Sequence, residues 1–167
     1  IQASNICKEN GWAPIIIHQP NYSMFNRWIE KSLLESVGNL GIGIIAFCPL
    51  YQGLLTNKYL NEIPASSRAA NTSGLIRESE LSEPVLKCIQ SLNELAMDRG
   101  QSLAQMALSW VLRDRRVTSA LIGASSPEQV IENSKCVENS IFSDDEEQAI
   151  DELLSQINLP KSLWAGE

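Results

Sequence analysis

The chain has 167 residues, of which 44% are hydrophobic and 20% charged, enough apolar material for one globular domain or a large piece of one. Its formal charge of -7, with no Lys/Arg cluster and no basic-aromatic stripe, excludes nucleic acid as a partner class. No apolar run reaches the length of a bilayer span and the first residues do not form a signal segment, so a soluble, cytoplasmic protein without a membrane partner is expected. Cys7, Cys48, Cys88 and Cys136 lie far apart and His18 is the single histidine, so reduced thiols and no metal site are expected. The sequons at Asn21 and Asn71 read as chance without a secretion signal. The sequence starts at Ile1 rather than Met, which reads as a fragment.

Taken in order, residues 2–10 read as the end of a helix closed by Gly11, followed by a strand over 13–17 whose three consecutive isoleucines suggest burial on both faces. The strand runs into His18-Gln19-Pro20-Asn21-Tyr22-Ser23, where Gln19 can both donate and accept toward a ligand carboxamide. No Ser, Asp or Cys stands at a telling spacing from His18, which argues against a catalytic role for it. Ile29, Leu33, Leu34, Val37 and Leu40 recur at helical spacing over 26–40, and Gly41 ends that helix. A second buried strand over 42–47 opens into Cys48-Pro49-Leu50-Tyr51-Gln52-Gly53, with Phe47 either covering a flat ligand or belonging to the core.

The segment 60–83 is polar, carries Arg68 and Arg77, and at that length reads as functional or mobile. A helix over 84–99 buries Val85, Leu86, Ile89, Leu92, Leu95 and Ala96. Ser102 to Gln105 forms a capping box for the next helix, whose small face of Ala104, Ala107, Leu108 and Val111 suits close packing on a sheet. Val117 to Ile122 makes a short buried strand, then Gly123-Ala124-Ser125-Ser126 turns into a helix starting at Pro127. The open N–H groups and dipole of that helix start would welcome an anion, and an empty βα loop is the other reading. Ser143 and four acidic residues start a last helix reaching about Gln156, and the tail reads as irregular.

The alternation of strands and helices predicts a parallel α/β fold with right-handed crossovers and every polar candidate on one rim. A Gly-x-Gly-x-x-Gly fingerprint is absent, so a barrel geometry fits better than a dinucleotide fold. Three strands cannot close a barrel of eight.

Five collinear runs carry a resemblance: 17–23, 46–60, 63–68, 104–110 and 122–133. Together they resemble the aldo-keto reductases, in particular the bacterial glyceraldehyde-3-phosphate reductase-like branch and the potassium-channel β subunits, over about residues 11 to 157. The resemblance implies an α/β chain forming the C-terminal portion, the last three βα units, of a (β/α)8 TIM barrel, so that 1–167 is a single oxidoreductase domain lacking its N-terminal part. It implies NADPH as cofactor and a small aldehyde or ketone as substrate. Gln19 would hold the nicotinamide carboxamide and Phe47 would stack on its ring. Cys48, Pro49, Leu50, Tyr51, Gln52 and Gly53 would line the pyrophosphate, and Lys58 and Arg68 would reach phosphate or adenosine. Gly123, Ser125, Gln129, Glu132 and Asn133 would hold the 2′-phosphate and adenine.

Cys48 stands where relatives often have Ser or Thr, and Asn57 where Gly commonly precedes the Lys. The family's catalytic Asp, Tyr, Lys and His match no position here, and His18 does not match the catalytic His motif, so no catalytic residue is assigned. A nucleotide-sensing subunit of channel-β type and an inactive partial barrel are the rival readings. The open sheet edge of a partial barrel would favour aggregation or pairing with a partner, a homo-oligomer among them.

Overall fold

The computed structural model describes residues 1–60 and 81–158. Nine regular elements follow in chain order: α1 (Gln2–Glu9), β1 (Ile17–His18), α2 (Leu33–Asn39), β2 (Gly43–Phe47), α3 (Glu83–Asp98), α4 (Leu103–Leu112), β3 (Val117–Leu121), α5 (Pro127–Ser134) and α6 (Asp144–Ser155). The three strands form one parallel sheet in the order β1-β2-β3. Because all three run the same way, their C-terminal ends and the loops that leave them share one rim, as in parallel α/β sheets generally.

β2 is the central strand, and its Ile44 and Ala46 are fully buried while Gly43, Ile45 and Phe47 are half-buried. Leu34 and Val37 of α2, Ile89, Leu92 and Ala96 of α3, and Ile150 of α6 complete one core around α4. α4 is the most enclosed helix described, burying eight of its ten residues. Its buried set includes Met106 and Trp110 as well as the expected Ala107, Leu108 and Val111, whereas Ala104 is half-buried. Each fully buried aliphatic side chain here contributes roughly 1.5–3 kcal/mol by leaving water.

The outer strands depart from expectation. The first strand is Ile17–His18 rather than 13–17, and Ile15, Ile16 and Ile17 are 37, 69 and 39% exposed. Among the described residues β1 is hydrogen-bonded to a strand on one side only, and no layer covers these isoleucines. Likewise, only Val117 of β3 is buried, while Leu121 is 52% exposed. The single helix expected over 26–40 is broken: a 3-10 turn spans Trp28–Lys31, and Ser32, at φ -155°, separates it from α2. Leu40, just beyond the end of α2, is exposed, whereas Ile29, Leu34 and Val37 are buried as the spacing requires.

Helix starts follow local chemistry closely. Ser102 and Gln105 cap α4 reciprocally, Ser143 and Glu146 do the same for α6, and Ser126 caps α5 ahead of Pro127. Arg68 and Arg77, with most of the segment that holds them, and the tail beyond residue 158 lie outside the described residues. Among the described residues no helix is long and apolar enough to cross a membrane.

Gly43 marks where β2 is squeezed between its neighbours. A Cβ there would stand 2.6 Å from Thr118 Oγ1 and 3.0 Å from Ile17 Cδ1, so it would push against β1 and β3 at once. Gly43→Ala is expected to destabilise the protein by about 1–3 kcal/mol. Urea unfolding checks this, and an unchanged midpoint would show that the strands separate freely.

Candidate functional site

Three loops leave the sheet side by side, and Phe47 is the residue that joins them. Its backbone N–H donates to Pro20 O at 2.9 Å, and its carbonyl accepts from Tyr22 N at 3.3 Å, so the loop after β1 is laced to the end of β2. On the other side Phe47 is in register with Leu121, two residues before Gly123. Gln19, Phe47 and the Gly123 turn are thus brought to adjacent places on one rim. Phe47 itself is half-buried, with Gln19 exposed beside it.

The loop after β2 has an unusual backbone. Cys48, Tyr51 and Gln52 have φ of 54, 45 and 58°, and Gly53 has φ of 94°. Non-glycine residues in the left-handed region each cost about 1–3 kcal/mol and persist only where the surroundings impose them. The constraint here is visible: Tyr51 N donates to Cys48 O at 2.9 Å, Gly53 N to Leu50 O at 2.9 Å and Leu55 N to Leu50 O at 3.2 Å. Leu54 and Leu55, both fully buried, pin the loop from behind. Pro49 and Tyr51 are buried, the Tyr51 ring meeting Phe25 edge-on at 5.5 Å, so their side chains serve as scaffold. Gln52 Nε2 reaches Cys48 Sγ at 3.4 Å across the turn. Lys58 is exposed on the 3-10 turn that follows.

The third loop modifies the expectation of open amides at the start of α5. Gln129 Oε1 accepts from Ser125 N at 2.8 Å and from its hydroxyl at 3.1 Å, while Ser126 Oγ accepts from Gln129 N at 3.3 Å. Glu128 folds back on the same turn: its own backbone N–H, and then the Ser126 hydroxyl, hold its carboxyl below the usual range. The chain's own side chains therefore occupy the first turn, and an incoming anion would exchange with them. Further along α5, Glu132 is exposed and Asn133 half-buried. Glu132 Oε1 pairs with Lys135 Nζ at 2.6 Å, and Gln105 Nε2 of α4 donates to Glu132 O at 2.8 Å and to Oε2 at 3.2 Å.

Space for a ligand exists where the loops meet solvent. A Cβ built on Gly53 or on Gly123 would find nothing within 4 Å, so both glycines face open space. An aromatic ring, a constrained backbone turn and a polar helix then follow one another along the rim. Among the described residues no group of His, Cys, Asp and Glu could hold a metal ion. His18 lies in β1 opposite Ile44. Gln105 and Glu128, which both touch α5 backbone or its first turn, read otherwise in the sequence: Gln105 as a helix cap, and Glu128 as a charge favourable to a dipole.

The sequence matches the Aldo/keto reductase family over residues 1–155, and the chain belongs to that family. Among known proteins it is 50% identical over 155 residues to the L-glyceraldehyde 3-phosphate reductase of Escherichia coli (strain K12), a match covering 90% of this chain and 44% of that one. It is 35% identical over 127 residues to a probable voltage-gated potassium channel subunit beta of Oryza sativa subsp. japonica, covering 74% of this chain and 38% of that one. A probable subunit beta of Arabidopsis thaliana is 38% identical over 127 residues, with the same 74% and 38% coverage. The chain spans less than half the length of these relatives.

Proposed function

We propose that this chain forms the last three βα units of a (β/α)8 reductase domain and carries the NADPH-binding half of an enzyme that reduces small aldehydes or ketones. The observation that supports it most is the placement of Phe47, laced to the Gln19 loop on one side and in register with the Gly123 strand on the other. In this reading Phe47 and Gln19 orient the nicotinamide, and the loop from Cys48 to Gly53 lies along the pyrophosphate. Lys58 and Arg68 neutralise phosphate charge, and Gly123, Ser125, Gln129, Glu132 and Asn133 enclose the adenosine end. The bound nicotinamide supplies the hydride. No residue of this chain is assigned the delivery of a proton to the carbonyl oxygen.

The test is nucleotide binding by the full-length protein, followed by the fluorescence of the reduced cofactor. NADPH is expected to bind about tenfold or more tightly than NADH, because a charged hydrogen bond to the 2′-phosphate is worth roughly 1.5–3 kcal/mol. Arg68→Ala is expected to remove much of that preference. Equal affinity for both nucleotides would overturn the reading. The potassium-channel relatives support a second reading, a nucleotide sensor without turnover. Reduction of glyceraldehyde by the full-length protein separates the two, since a sensor binds NADPH and leaves the aldehyde unchanged.

A further inference from the structure

We propose that Gln105 is a positioning residue for the adenosine end of the cofactor, acting through Glu132; the proposal rests on the nucleotide reading of Glu132. α5 buries none of its residues, so apolar packing does not fix where it lies. What ties it to the protein is a polar seam presented by α4 and the residues that precede it, which continues to the turn after it, where Cys136 is buried as well. Gln105 donates to the Glu132 carbonyl at 2.8 Å, and Ser109 Oγ lies 2.6 Å from the Cys136 carbonyl. Gln101 Nε2 donates to Asn139 O at 3.2 Å and reaches Ser109 Oγ at 3.0 Å. Gln101, Gln105 and Ser109 are all buried, at 8, 7 and 0% exposure, where polar bonds are held away from competing water.

The two capping boxes of this chain show why residue 105 carries an amide. In α6 the third position is Glu146, whose Oε2 accepts from Ser143 N at 2.7 Å while its other oxygen pairs with Arg99 at 2.6 Å. In α4 the corresponding residue accepts from Ser102 N at 2.9 Å through Oε1, a task that a carboxylate performs equally well. The remaining atom decides the choice. Gln105 Nε2 faces two acceptors, the carbonyl and the Oε2 of Glu132, and only a donor fits there. With Lys135 on Oε1, both oxygens of Glu132 have partners, and the buried amide of Gln105 favours one orientation of this exposed carboxylate.

The experiment uses the full-length protein and adenosine 2′,5′-bisphosphate, a probe of the adenosine end alone, with affinity read by calorimetry and folding by thermal melting. Gln105→Glu keeps the cap and turns an acceptor toward two acceptors. It is expected to weaken the probe about tenfold, the scale of one charge-assisted hydrogen bond. Gln105→Met, similar in length and without an amide, is expected to give the same loss and serves where the glutamate variant fails to fold. Ser102→Ala removes the other half of the box and is expected to lower the melting temperature without changing probe affinity, which a merely structural role for Gln105 would also do. Glu132→Gln tests the underlying reading and is expected to weaken the probe. If it does so while a folded Gln105 variant retains full affinity, the positioning role is overturned and the nucleotide reading stands. If neither position affects the probe, the reading of Glu132 falls and takes this inference with it.

Discussion

Trp110→Ala is expected to destabilise the protein by about 4 kcal/mol, near the upper end for loss of a buried aromatic. The indole is 1% exposed and meets the Tyr22 ring at 5.5 Å. Two guanidinium groups lie over it, Arg113 at 3.7 Å and Arg27 at 5.0 Å, contacts worth about 0.5–2 kcal/mol each. Removing the ring would open a cavity and strip the support from a charged network behind it. Tyr22 donates to Glu30 Oε1 at 2.6 Å, Arg113 reaches the Tyr22 hydroxyl at 2.9 Å and Glu30 at 3.2 Å, and Arg27 bridges Glu30 and Asp151. Burial pushes the Tyr22 phenol well above its ordinary range, so it stays a donor to Glu30 across the whole working pH range. By contrast, the Glu83–Lys87 pair is exposed on both sides and contributes little. For a chain of this size, 4 kcal/mol corresponds to a melting temperature lower by roughly 10–15 °C. Thermal melting and urea unfolding read it directly, and a loss below about 1 kcal/mol would show that the network holds without the ring. The effect extends to the site, because Tyr22 stands three residues after Gln19 and anchors that loop to α4.

What the sequence discloses about this fold divides by the range of the interaction responsible. The starts of α4, α5 and α6 are legible because Ser102, Ser126 and Ser143 act on backbone groups within one turn. The burial of Ile15 to Ile17 is not legible, since it depends on whether a neighbour covers β1, and three isoleucines read alike at an edge and at a centre. Ser32 breaks the expected helix although the apolar spacing runs through it, so periodicity recovered which residues are inside while missing the backbone that places them. The site divides in the same way. Phe47 at a strand end and the turn at Gly123 are visible as local patterns. The occupation of the α5 start by Gln129 and Glu128, the inward turn of Tyr51 and the reach of Gln105 to Glu132 are long-range or rotameric facts, and no spacing encodes them.

Gly53→Val is expected to weaken NADPH binding by about 10- to 100-fold and to lower stability by about 1–3 kcal/mol. At φ of 94° a β-branched residue is strained whatever the space around it, and the space here is open, so the cost is one of backbone conformation rather than of clash. The question is where the strain goes. Downstream the chain cannot yield, because Leu54 and Leu55 are fully buried and Thr56 Oγ1 donates to Gly53 O at 2.7 Å. Upstream lie Gln52, Tyr51 and Cys48, already in left-handed conformations and each able to gain by leaving them. Relaxation therefore runs back through the stretch proposed to lie along the pyrophosphate, and strain of 1–3 kcal/mol released by moving that stretch must be restored on binding, which is the 10- to 100-fold loss. Gly123→Ala separates conformation from contact, because Gly123 has no left-handed φ and the same open space. It is expected to leave unfolding unchanged while still weakening the nucleotide. Calorimetric titration of NADPH on both variants, beside their urea midpoints, makes the comparison. A Gly53→Val protein that loses stability but binds NADPH with unchanged affinity would remove the loop after β2 from the nucleotide site.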